Sequence, residues 1–233
     1  MKTSPKAAGQ RPPGGPARSA APRRQRNARG QGARLTGDIV TAAVELIEQH
    51  GSAEAVTLRA VARQAGIAAP SIYPHFADRD EILLAVVVRV FDELAATIER
   101  ATAAAGPDPA DRLAAGCAAY VAYGLDHPAR YGVLFAAHHA DAADYCQPVE
   151  LGPDGRPVLE FGANAFALLV NGIEDCVQAG VSTSTDVLAD ATAVWVALHG
   201  TVTLRSSLPA FPWPDPQVFI RKVVLSLAGV TAR

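Results

Sequence analysis

The sequence predicts an all-α fold: a three-helix helix-turn-helix module followed by a larger helical body, about nine helices in all. Three observations carry this. Apolar residues recur at three- and four-residue intervals through most of the chain, and no stretch alternates with period two long enough to make a strand. The apolar residues are mostly Ala, Val and Leu, with only 6% aromatic, which favours helices packed closely on one another. With 233 residues and 49% hydrophobic content, the chain can bury a sizeable core.

Residues 1–35 are rich in Pro, Gly, Ala and Arg and nearly free of large apolar side chains. They are expected to be a disordered arm, because too little surface can be buried to offset ordering entropy. The first helix is expected after Thr36, with Ile39, Val40, Ala43, Val44, Leu46 and Ile47 on one stripe and Gly51 as a left-handed C-cap. Thr57 is placed to cap a second helix that buries Leu58, Val61, Ala62 and Ala65 before Gly66. Pro70 to Phe76 predicts a third, short helix with Ile72 and Phe76 on one face. Asp78 and Glu81 are spaced as a capping box for a fourth helix running to about Ala104.

Asp108 and Pro109 suit the start of a helix over about 109–125. A short helix over about 128–137, a polar loop over 138–156, and helices over about 157–179, 187–206 and 215–230 complete the pattern. The division expected is a basic arm over 1–35, a helix-turn-helix domain over 36–83 and a helical domain over 84–233.

Charge is distributed unevenly. Residues 1–36 hold nine Lys or Arg and no acid, leaving 12 basic and 23 acidic groups elsewhere, a net of −11. A basic arm on an acidic body suits a polyanionic partner for the arm, and equally a solubilising tail with none. The three cysteines, Cys117, Cys146 and Cys176, form no C-x-x-C, so neither a disulfide framework nor a zinc site is indicated. His138, His139, Asp141, Asp144 and Cys146 cluster in the chain, but at no standard zinc spacing; loop polarity accounts for them, and no metal is expected. No uninterrupted apolar run approaches the roughly 18 residues of a spanning helix, and no secretory signal precedes the body. A cytoplasmic protein with free thiols and no membrane partner is the expectation. P-loop, Gly-x-Ser-x-Gly and His-Glu-x-x-His motifs are absent, so no enzyme activity and no cofactor are expected.

Three short helices within about 40 residues, with glycine between the second and third, describe a module that reads double-stranded DNA through the major groove. The residues themselves are more specific. Thr57-Leu58-Arg59-Ala60-Val61-Ala62-Arg63-Gln64-Ala65-Gly66-Ile67, then Ser71-Ile72-Tyr73-Pro74-His75-Phe76, Arg79 and Leu83 resemble the N-terminal domain of TetR-family regulators. Ile39, Ala43, Leu46 and Gly51 also fit. The resemblance implies DNA contacts from Thr57 and Arg59, base edges facing Ala69, Pro70 and Ser71, and phosphates meeting Tyr73, His75 and Arg79. Tyr73 can instead be partly packed, and His75 can simply face solvent.

Departures matter here. Ala68 stands where the family usually caps the recognition helix with Ser or Thr, Ala69 where Lys or Arg is common, and Pro74 removes a backbone donor. Residues 37–80 hold three basic and six acidic groups. That is a poor balance for binding phosphate, and it assigns part of the attraction to the arm through Arg23, Arg24, Arg26, Arg29 and Arg34.

Further along, Trp195-Val196-Ala197-Leu198-His199-Gly200 resembles the Trp-x-x-x-His-Gly (WHG) signature of one C-terminal subclass of these regulators. His127-Pro128-Ala129-Arg130-Tyr131 and Leu134-Phe135 fit the same subclass. Trp195 and His199 share a helix face. In one reading His199 is a polar handle in an effector pocket walled by Phe135, Phe166 and Trp195. In the other both are core residues, and Gly200 lets two helices approach. The resemblance implies a homodimer through the last two helices, with Val194, Val202 and Leu208 facing Val218, Val223, Val224 and Leu227 of the pair. It also implies a regulator, most often a repressor, that leaves a pseudo-palindromic operator when a small hydrophobic effector binds. A DNA-binding structural protein of the same fold, without a ligand, is the alternative.

Overall fold

The computed structural model describes residues 31–135 and 162–231. Among these, eight α-helices follow one another: α1 (Gln31–His50), α2 (Leu58–Gln64), α3 (Arg79–Ala104), α4 (Pro109–Asp126), α5 (Pro128–Phe135), α6 (Ala163–Gln178), α7 (Val187–Ser207) and α8 (Pro216–Leu227). Two short 3₁₀ turns, Ala53–Ala55 and Ala69–Ser71, lie on either side of α2. The fold is all-α; the one extended pairing among the described residues is an isolated antiparallel bridge between Ser182 and Val230. The predicted loop with its His138–Cys146 cluster, and arm residues Arg23, Arg24, Arg26 and Arg29, fall outside the described residues.

Side-chain caps start the helices where the sequence places them. The Thr57 hydroxyl accepts from the Ala60 backbone N–H at 3.1 Å, and Asp108 accepts from Ala110 ahead of Pro109. Asp186 and Asp215 cap α7 and α8 in the same way, accepting from Ala189 and Val218. Each such cap contributes about 1 kcal/mol. Asp78 accepts from the N–H groups of Asp80 and Glu81, while Glu81 reaches back to the N–H of Ala77. The capping box is thus closed one residue earlier than its usual form. Gly51 ends α1 at φ +72°, which Gly adopts without a Cβ penalty.

The helix expected from about 157 begins at Ala163, after Gly162 at φ +74°, and two boundaries in the helix-turn-helix region also differ from expectation. α1 already includes Gln31, so Arg34 rides on a helix rather than in the arm. The third helix shortens to the 3₁₀ turn Ala69–Ser71 followed by turns to Phe76. Ala68 supplies no side-chain cap, as its chemistry requires, and the N–H groups of Ser71, Ile72 and His75 bond three residues back. Pro74 has no N–H to extend the turn, so the tighter geometry prevails.

One contiguous core runs through the chain. Ile39, Ile47, Val56, Val61 and Ile72 are completely enclosed with Ile82 and Leu83 from the first turns of α3. Each such side chain stabilises the fold by about 1.5–3 kcal/mol. Further along α3, Val90 and Leu94 enter the core, and α3 packs most extensively along α4. Val194 and Val202 of α7 and Val224 of α8 are also interior, so they cannot face a second copy. Of the residues expected to face it, Val218, Leu227 and Leu208 are exposed, and Leu188, Val196 and Leu204, which the sequence did not single out, are exposed beside them. α7 alone among the described helices is long and apolar enough to cross a membrane by length and composition. Counting unbroken apolar runs missed this, because Asp190 and several threonines punctuate the helix.

The close helix approach predicted at Gly200 occurs elsewhere: nothing lies within 4 Å of a Cβ built there. At Gly124 of α4 such a Cβ would stand 2.6 Å from Val202 Cγ1 and 2.9 Å from Tyr131 Cδ2. Gly124→Ala is therefore a contest. Helix propensity favours Ala by about 1 kcal/mol, whereas overpacking a stiff, buried valine costs about 1–3 kcal/mol. The expected result is a net loss of roughly 1 kcal/mol or more, read as a lower urea midpoint with unchanged slope.

Candidate nucleic-acid interface and aromatic site

The helix-turn-helix residues divide into those left for a partner and those engaged within the protein. Arg59 on α2 is exposed, as are Arg63, Ala68 and Pro70. Tyr73 is 59% exposed, so the packed alternative is not the one adopted. Ala69 and Ser71 are half-buried, and Thr57 is exposed while capping α2. The face around Ala68, Ala69 and Pro70 is small and apolar, able to meet thymine methyl groups but not to make bidentate base contacts.

Arg79 and His75 are held internally. The Arg79 guanidinium donates from Nε to the Val56 carbonyl at 2.8 Å and from Nη2 to the Ala53 carbonyl at 3.0 Å, with Asp80 beside Nη1. It clasps the chain entering α2 to the start of α3, a different task from the phosphate contact the resemblance implies. His75 is half-buried with Nδ1 2.9 Å from the Thr36 hydroxyl. That hydroxyl donates its proton to the Gly32 carbonyl, so Nδ1 is the donor toward Thr36. His75 thus ties the recognition turn to the first turns of α1, and it neither faces solvent freely nor stands idle. Both contacts link residues far apart in the chain, which no local spacing announces.

The second constellation is aromatic. Phe135, Phe166, Trp195 and His199 come together as the sequence proposed. Ring centroids lie 4.4 Å apart for Phe135 and His199, 6.3 Å for Phe135 and Trp195, and 5.9 Å for Phe166 and Trp195. Three further residues join them. Phe91 of α3 meets Phe135 edge-on, and Tyr131 stacks on His199 and stands edge-on to Tyr120. A chain of polar contacts threads the rings: Trp195 Nε1 to the Tyr120 hydroxyl at 3.3 Å, Tyr120 to Tyr131 at 2.8 Å, and Tyr131 to His199 Nδ1 at 2.8 Å. Burial raises both tyrosine pKa values and lowers that of His199, which keeps all three groups neutral. Trp195 and Phe135 each retain 37% exposure. The site therefore combines a satisfied polar interior with an open rim, sharing features of both readings of Trp195 and His199. Tyr120 was invisible in the sequence, being one of two tyrosines among the small residues of α4 with nothing local to distinguish it.

α5 connects the two regions. Tyr131 and Phe135 line the aromatic site, while Arg130 faces the other way. Its Nε lies 2.7 Å from Glu48 Oε1 of α1, and its Nη1 donates to Glu93 Oε2 of α3 at 3.0 Å. Arg89 holds the second oxygen of Glu93 at 2.8 Å.

Replacing Arg79 tests its assignment. Arg79→Met leaves the Val56 and Ala53 carbonyls without their donor, and stability should fall by about 1–3 kcal/mol, measured by urea unfolding. Unchanged stability combined with a shallower salt dependence of DNA binding would return the residue to the phosphate contacts.

Comparison with known proteins places these features. Residues 39–86 match the family model of bacterial regulatory proteins of the TetR family, and residues 113–226 match that of a tetracyclin repressor-like C-terminal domain. The chain is 26% identical over 208 residues to the HTH-type transcriptional regulator Rv1816 of Mycobacterium tuberculosis, covering 89% of this chain and 80% of that protein. A protein of unknown function from Rhodococcus sp. RHA1 superposes with a TM-score of 0.65 at 25% identity, over 83% of this chain and 91% of the other. FadR from Bacillus subtilis, solved in complex with stearoyl-CoA, shares the fold with a TM-score of 0.62 at 17% identity, over 84% and 99% of the two chains. With its helix-turn-helix head and helical body each matched separately, the chain belongs to the TetR family of DNA-binding transcriptional regulators.

Proposed function

We propose that the protein is a homodimeric repressor that binds a pseudo-palindromic operator and is released by a small, mainly hydrophobic effector held at the aromatic site. One observation carries the reading. The aromatic cluster and the helix-turn-helix are joined through α5, whose neighbouring residues Arg130 and Tyr131 engage Glu48 of α1 and His199 of α7. A ligand that moves Tyr131 or Phe135 displaces Arg130 and, with it, α1. Such a ligand binds one arrangement better than the other, which is what a shift in DNA affinity requires. FadR of Bacillus subtilis, solved with stearoyl-CoA, supports the capacity of this fold to hold a molecule that carries a long acyl chain. The protein works in the cytoplasm, with the head extending over 36–83 and the body over 84–233.

Dimerisation is assigned to the outer faces of α7 and α8. The apolar residues of α7 are spread around its circumference among Asp190 and several threonines, yet only one side meets the protein's own core. Large apolar residues outside that side call for cover of their own. Leu188, Val196, Leu204 and Val218 supply the apolar surface for a second copy, forming a four-helix arrangement about a two-fold axis. The two heads then meet half-sites about one helical turn of DNA apart, or a multiple of it.

On DNA, Ser71 and the apolar turn face base edges, while Thr57, Arg59 and Tyr73 meet the backbone. The arm before α1 adds charge. His75 holds the beginning of α1 against the recognition turn, so the arm departs beside the DNA-reading face.

The decisive experiment selects operator sites from random DNA and measures binding by anisotropy across a salt series. Removing residues 1–30, which leaves α1 intact, should flatten the salt slope by about 0.9 for each phosphate that the arm had neutralised. Tyr73→Ala should weaken binding while leaving the slope unchanged, since its hydroxyl carries no charge. Selection that enriches no sequence overturns the operator reading.

A second measurement concerns coupling. Glu48→Gln removes the charge opposite Arg130 at the head and is expected to leave operator affinity within about threefold while reducing effector-induced release by about fivefold or more, within the range of allosteric coupling energies. Full release in this variant removes Arg130 from the relay.

A further inference from the structure

The hydrogen-bond network at the aromatic site has a direction, and that direction constrains the chemistry of its ligand. This step rests on the effector reading above. The indole N–H of Trp195 can only donate, so the Tyr120 oxygen accepts from it. Each tyrosine carries one proton. If Tyr120 donates to Tyr131, and Tyr131 donates to His199 Nδ1, every proton of the buried chain has an acceptor. In the reverse order, His199 donates from Nδ1 to Tyr131, Tyr131 donates to Tyr120, and the Tyr120 proton is stranded. An orphaned buried donor is costly, so the first order prevails.

With Nδ1 accepting, neutral His199 carries its proton on Nε2. No group among the described residues pairs with that nitrogen. The rings packed on His199 are those of Phe135 and Tyr131, and none of the described residues in the network or its ring contacts carries a charge.

We infer that the effector is an apolar, ring- or chain-bearing molecule with one neutral hydrogen-bond acceptor, such as a ketone, ester, lactone or amide carbonyl, which takes the N–H of His199 Nε2. A carboxylate is disfavoured because no cation among the described residues stands at the site to offset its desolvation. An ammonium is excluded because it brings donors to a donor.

The test uses the full chain and three probes: propiophenone, propylbenzene and benzylammonium. The hydrocarbon keeps the ring and lacks the acceptor; the cation reverses the polarity. Affinity is read by calorimetry and by the rise in Tm that native-state binding produces. Propiophenone should bind about two- to tenfold more tightly than propylbenzene, the contribution of one net hydrogen bond, and benzylammonium should not bind. His199→Phe should erase the difference between the first two. Long-range nitrogen–proton NMR correlations of the free protein should place the His199 proton on Nε2, and Tyr131→Phe should shift that balance toward Nδ1.

Equal affinity for ketone and hydrocarbon, binding of the cation, no binding of any probe, or a proton on Nδ1 in the wild-type protein each overturns the inference. A proton on Nδ1 or a preference for the cation leaves the effector reading standing. An operator complex that releases DNA with no small molecule ends that reading, whatever the tautomer.

Discussion

The apolar stripe of α3 is the constraint on which the rest depends. Its first turns place Ile82 and Leu83 in the core shared with α1, α2 and the recognition turn, and its later turns place Val90, Leu94 and Ile98 in the body. A continuous helix of 26 residues transmits orientation along its length, because its backbone bonds and packed side chains resist bending. Head and body therefore cannot reorient independently. A change in how α3 lies against α4 becomes a change in where Tyr73 and Ser71 point. The Arg79 clasp reinforces this at the outer end, tying the first residue of α3 to the carbonyls of Val56 and Ala53.

A rigid connection alone would not respond to anything. The proposed response to a ligand needs a second contact that can be altered, and in that reading α5 provides it. This helix has only eight residues, too short to be stable in isolation, so packing on both sides holds it. Tyr131 is fixed by two hydrogen bonds on the aromatic side, and Arg130 by two carboxylates on the other. Glu93 adds a constraint of its own, since it belongs to α3 and binds both Arg130 and Arg89. The ion pairs are partly exposed and individually modest. Their importance is geometric: one guanidinium reads the separation of α1 and α3 at the level where the body begins.

Much of this was legible in the sequence, and the boundary of legibility is physical. Caps are local, so Thr57, Asp78 and Asp108 announced their helix starts within a residue or so. Trp195, His199 and Phe135 of the aromatic site came from the resemblance to the Trp-x-x-x-His-Gly subclass, and the four-residue spacing of the first two puts them on one helix face. Long-range polar contacts were not legible. Arg79 looks like any basic residue at a helix start until its carbonyl partners, 23 and 26 residues away, are in place. His75 finds Thr36 across 39 residues, and Tyr120 acquires its role only where α4 crosses α5 and α7. The interface on α7 shows the same limit from the apolar side. Val194 and Leu204 are equally hydrophobic, and only the tertiary packing decides that one is interior and the other exposed.

These contacts sharpen the electrostatics of the head. Residues 37–80 carry a net charge of −3, and one of their three cations, Arg79, is committed to backbone carbonyls. Arg59 and Arg63 remain exposed on α2, facing a polyanion with little help from the turn that reads the bases. Association with DNA gains from each phosphate neutralised, so a head of this composition is weak by itself. The nine basic residues up to Arg34 oppose that balance in the sequence, which is why the proposed reading assigns them the missing attraction. The proposed reading separates specificity from affinity in this chain: shape and methyl contacts at the apolar turn would choose the site, and the arm would supply the attraction.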